Sequence, residues 1–149
     1  MIAWKYINKN AAAIAALRDY DSMRVIINNT PDSIKELYTR LTSPRGPNLS
    51  GMPTAHNVYA SQDSIAAQVD KLDLLQERYS TAIEYLKWFE PAWVTLSDTE
   101  QHILREFYMT GNRKSGATYR LMHELGYSER TIDRMRSNAL NHIRLLLIG

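Results

Sequence analysis

Between Ser61 and Glu90 the apolar residues Ile65, Leu72, Leu75, Tyr79, Ala82, Leu86 and Phe89 fall on a three-four spacing, broken only at Gln68. That period belongs to one face of an α-helix, and Val69 and Ile83 widen the stripe. Such a helix, about 30 residues and near 45 Å long, cannot bury its stripe alone. It needs either another helix of the same chain or a partner chain. Ser61 opens the segment and Pro91 is expected to end it.

The first part of the chain supplies a companion. Residues 3–28 read as a helix carrying Ile7, Ala11, Ile14, Leu17 and Val25, and the run Asn10–Leu17 has high helix propensity. Asn28-Asn29-Thr30-Pro31 is expected to stop it. Asp32 or Ser33 would cap a short helix to Leu41, with Ile34, Leu37, Tyr38 and Leu41 on one face. Residues 42–60, with Pro44, Gly46, Pro47, Gly51 and Pro53, read as a flexible loop. The expected organisation is N-terminal helices at 1–41, the loop, the long helix and its junction at 61–94, and a separate domain at 95–149. The fold class is all-α, a long-helix hairpin followed by a bundle of short helices.

The last third carries the most specific local signals. Ser97-Asp98-Thr99-Glu100 fits a capping box, and Ile103, Leu104, Phe107 and Tyr108 would form the core face behind it. Residues 111–116 read as a polar turn, and Leu121, Met122 and Leu125 face inward on the next helix. Gly126 suits a left-handed helix terminus and Ser128 a new N-cap. Ile132, Met135, Ala139, Ile143 and Leu146 then make a final buried stripe. A helix, a glycine turn and a second helix opening with polar and basic residues is the order of a DNA-reading helix-turn-helix. The same order also occurs in helical proteins that bind no DNA.

Composition narrows the function classes. Hydrophobic residues make up 44% and charged residues 23%, as in ordinary globular proteins, and no apolar run approaches a membrane span. Nor does the N-terminus carry a secretory signal, so the cytoplasm is the expected compartment. There is no cysteine, which excludes disulfides and thiolate chemistry. His56, His102, His123 and His142 show no metal-ligand spacing, and Glu100, Glu106 and Glu124 read as solvated helix faces. With no nucleophile set or phosphate loop visible, neither an enzyme nor a cofactor is expected. Trp4, Trp88 and Trp93 are expected to pack at the joint between helical parts. Residues 1–94 hold ten Lys/Arg and ten Asp/Glu, whereas residues 95–149 hold eight against six. There every basic residue but Lys114 is Arg, the cation that forks onto phosphate or guanine.

Leu125-Gly126-Tyr127-Ser128, with Ile132, Met135, Ala139, Leu140, Ile143 and Arg144 in register, resembles region 4 of bacterial sigma factors. Leu96-Ser97, Glu100, Ile103-Leu104 and Phe107-Tyr108 fit the first helix of that region, so the likeness covers about residues 95–146. The whole layout resembles the ArpU/RinA-type late-gene regulators of phages of Gram-positive bacteria. The resemblance implies a sequence-specific DNA-binding transcriptional regulator that acts with host RNA polymerase. By position, Glu129, Arg130, Asp133 and Arg134 would meet bases, and Arg113, Lys114, Arg120, Ser128, Arg136 and Ser137 would meet phosphates. Glu129 and Asp133 stand where sigma factors commonly carry Arg, and they repel phosphate unless Arg or cytosine satisfies them. A homodimer or higher oligomer through the long helix is a further expectation. Two other readings stay open, a small terminase-like DNA-recognition and assembly protein and a helical protein-interaction module.

Overall fold

The computed structural model describes residues 8–42, 58–110 and 116–149, and all of its elements are helical. They are α1 (Lys9–Thr42), α2 (Val58–Thr95), α3 (Asp98–Leu104), a π-helical turn (Arg105–Met109), α4 (Ala117–Leu125) and α5 (Glu129–Leu147). Trp4, His56, Arg113, Lys114 and most of the expected 42–60 loop lie outside the described residues. None of the described helices is long and apolar enough to cross a membrane.

Both long helices run through prolines that were expected to stop them. α1 passes Pro31 and runs unbroken from Lys9 to Thr42, so the expected stop at 28–31 is absent. Ser33 caps nothing; its hydroxyl donates to the Asn29 carbonyl within the helix, at 3.3 Å. α2 starts at Val58, inside the expected loop, and passes Pro91 to Thr95. An interior proline costs about 3 kcal/mol through the lost N–H and the ring's clash with the preceding turn. Beyond Pro91 the helix buries Ala92 and Trp93, and Leu96 follows just past its end. Burying a large apolar side chain is worth about 1.5–3 kcal/mol, so this short stretch offsets the proline. The end of α2 is also closed by side chains: Thr95 donates to the Pro91 carbonyl (2.8 Å) and Gln101 to that of Trp93 (2.8 Å).

The chain divides into two compact units, one of Glu84–Gly149 with the residues up to Arg24, the other Val25–Ile83. In the first, the start of α1 and the end of α2 share one core with the short helices. Ala16, Leu17, Phe89, Trp93, Leu96, Leu104, Met109, Ala139 and Ile143 are its buried members. Phe89 sits at the centre of an aromatic group, 5.3 Å from Tyr20 and 5.8 Å from Trp93. Tyr85 donates its hydroxyl to the Ala16 carbonyl, and burial pushes its phenol well above the ordinary tyrosine range. Residues on both sides of position 95 therefore share one core. α1 contributes Ala16, Leu17 and Tyr20 to this core, and Ala13 is buried as well, whereas Ala11 and Val25 are exposed.

Tyr85 meets Ala16, Phe89 meets Tyr20, and Glu90 lies 3.6 Å from Arg24, all within the first unit. In the second unit Thr30, Leu37, Leu72 and Ala82 are buried, while Tyr38, Ile65 and Val69 are exposed. The long-helix stripe is thus covered at Leu72 and Ala82 and open at its beginning.

Candidate nucleic-acid interface

The three short helices are set by local chemistry. Ser97 is the N-cap of α3: its hydroxyl accepts from the Glu100 N–H at 3.2 Å, and its own N–H donates to Glu100 Oε1 at 3.3 Å. α3 then widens into the π-helical turn. Leu104 and Met109, five residues apart, both reach the first core through that wider turn. Phe107 turns to a second core of Ile103, Leu121 and Ile132, with Met122, Leu125 and Met135 packed against it. Gly126 ends α4 at φ +72°, a left-handed conformation that glycine adopts without a Cβ penalty. Ser128 caps α5, its hydroxyl accepting from the Thr131 N–H at 3.3 Å.

α5 turns Ile132, Ala139 and Ile143 into the cores. Leu146 was expected among them; instead it is exposed and Leu147 packs inward. At 100° per residue Arg130 and Arg134 lie roughly 160° and 200° from Ile132, on the outward side. Both are exposed, and neither has an ion-pair or hydrogen-bond partner among the described residues. Ser137 and Asn141 continue the same exposed line, and Asn141 had no place in the sequence expectation. Glu129 is exposed in the first turn of α5.

The other expected contact residues are placed differently. Asp133 is half-buried and carries Arg136 at 3.8 Å. The Arg136 guanidinium lies 4.9 Å from the centroid of Phe107. Arg120 donates to Glu106 Oε2 at 3.2 Å, from α4 back to the π-helical turn. The Ser128 hydroxyl is engaged in its cap, 3.0 Å from that of Thr131. Tyr119, on α4, and Tyr127, in the turn before α5, are exposed aromatics.

Glu100 and Glu106 are half-buried, against expectation, whereas Glu124 is exposed. Each meets a cationic or imidazole partner on another element: Glu100 with His142 at 2.8 Å, Glu106 with Arg120 and Glu124 with His102 at 2.7 Å. The partners are 42, 14 and 22 residues apart, so no local pattern announces them. These pairs tie α3 and the π-helical turn to α4 and α5, leaving Arg130 and Arg134 as the outward cations at the start of α5. No known protein family, curated protein or solved structure matches the chain.

Proposed function

We propose that this chain is a sequence-specific DNA-binding transcriptional regulator, with α4, the glycine turn and α5 as its helix-turn-helix. One observation carries the reading: Arg130 and Arg134 stand one turn apart on the outward face of α5, exposed and without a partner among the described residues. A guanidinium so placed can fork onto guanine O6 and N7 in a major groove. The capped start at Ser128 and the buried Ile132, Ala139 and Ile143 fix which face is offered. Glu129 stands beside Arg130 and can accept from cytosine N4. Action with host RNA polymerase, in a phage late-gene setting in the bacterial cytoplasm, rests on the sigma-region-4 resemblance of residues 95–146 alone. Self-association through α2 is part of the reading, motivated by the exposed Ile65 and Val69.

The test is selection from a random pool of duplex DNA by the full chain and by Arg130→Ala and Arg134→Ala. An enriched motif that both substitutions abolish is the expected result. Enrichment that neither substitution alters removes the groove-entry assignment. Equal weakening on all sequences makes the two residues phosphate contacts. No affinity at any salt concentration favours a protein-interaction module instead.

A further inference from the structure

Arg136 sits two residues beyond Arg134, and sequence register alone puts it near phosphate. Its surroundings argue otherwise. The guanidinium lies over the Phe107 ring, 4.9 Å from its centroid, while Nη2 is 3.8 Å from Asp133 Oδ1. Phe107 belongs to the π-helical turn and packs against the buried group of Ile103, Leu121 and Ile132. One side chain therefore joins the π-helical turn to Asp133, the acid beside Arg134 at the start of α5. The π-helical turn makes this possible, because its wider spacing lets Met109 stay in the first core while Phe107 reaches the second.

We infer that Arg136 is a positioning residue, which sets Asp133 and the roll of α5 against Phe107, and is not a phosphate contact. This rests on the DNA-reading proposal above. A planar guanidinium stacks on an aromatic face while its edge reaches a carboxylate; the compact, strongly hydrated lysine ammonium does this poorly. Arg136→Lys therefore keeps the charge and loses the strut. At a phosphate contact the same substitution would be nearly silent. Released from Arg136, Asp133 is free to pair with Arg130, one turn before it, and to draw that guanidinium off a base edge.

The experiment uses the full chain as wild type, Arg136→Lys, Arg136→Ala, Phe107→Leu and the Phe107→Leu/Arg136→Lys double variant. Each is unfolded in urea, and each is titrated over a range of salt with the DNA that the wild type selects and with unrelated DNA. Arg136→Lys and Phe107→Leu are each expected to lower selected-site affinity about fivefold, and the double variant no further. Affinity for unrelated DNA and the slope of log K against log salt should stay at the wild-type values. A purely structural loss would instead scale both DNAs together. The inference is overturned if Arg136→Lys binds as wild type and Arg136→Ala cuts the salt slope by about one. It is equally overturned if the effects of Phe107→Leu and Arg136→Lys simply add. A wild type that selects no motif overturns the DNA reading and this inference with it. A wild-type motif that Arg136→Lys binds with undiminished affinity overturns this inference alone.

Discussion

His142 Nδ1 lies 2.8 Å from Glu100 Oε2, so one carboxylate both closes the capping box of α3 and holds the middle of α5. Burial pushes the Glu100 carboxyl up, but the hydrogen bonds from His142 and from the Ser97 backbone and side chain outweigh it. The net result holds the group below its ordinary range. A local capping signal is thereby converted into a tertiary contact between the first and last helices of the bundle.

The sign of the pH effect follows. A carboxylate with a lowered folded-state pKa adds stability above its unfolded value, about 4.3, and loses it as pH falls through the folded value. Glu100→Gln keeps the capping geometry, since glutamine also serves at that position. Wild type should exceed Glu100→Gln by less than about 1 kcal/mol at neutral pH, the range of a partly exposed pair. The gap should close below about pH 4. Urea unfolding at pH 7, 5, 4 and 3 checks this; a gap still unchanged at pH 3 would remove the ionised carboxylate as its cause.

Gly126 gives a cleaner backbone test. A Cβ built there meets nothing within 4 Å, so only the positive φ of +72° opposes a side chain. Gly126→Ala should cost about 1 kcal/mol, and Gly126→Asn less, because asparagine tolerates the left-handed region better. Thermal melting of both variants decides it. An alanine variant as stable as wild type would show that the turn can relax to negative φ.

What could be read from sequence divides by range. The Ser97–Glu100 box, the Gly126 terminus and the Ser128 cap are interactions within four residues, and the structure has all three. Pro31 and Pro91 misled because a proline's local cost is fixed, whereas what the helix gains beyond it depends on distant residues: Trp93 and Leu96 are buried past Pro91, and Leu37 past Pro31. The same holds for Glu100, Glu106 and Glu124, whose partners lie on other elements. At the candidate site, the exposure of Arg130 and Arg134 follows from helical period. The attachment of Arg136 to Phe107 depends on a π-helical turn with no sequence mark.

Pro31 is exposed inside α1, and its ring nitrogen cannot donate to the Ile27 carbonyl. Pro31→Ala restores that donor and removes the ring's clash with the preceding turn. Stability should rise, by up to about 3 kcal/mol. Urea midpoints with an unchanged m-value would register the gain. A loss of stability would mean that the packing of the neighbouring buried Thr30 depends on the proline's geometry.

Leu17 tests whether residues 95–149 stand alone. It is fully buried in the core that also holds Leu104, Ala139 and Ile143. Leu17→Ala removes three carbons from a packed site, which costs about 2–5 kcal/mol depending on how far the cavity collapses. If α1 merely precedes an independent bundle, α5 should not register the change. With the shared core, amide protection along Ala139–Ile143 should fall together with that of α1 around Leu17, since both belong to one cooperative unit. Hydrogen exchange on the full chain distinguishes the two. Protection lost in α1 and kept in α5 would make residues 95–149 an independent bundle, with α1 a separate element.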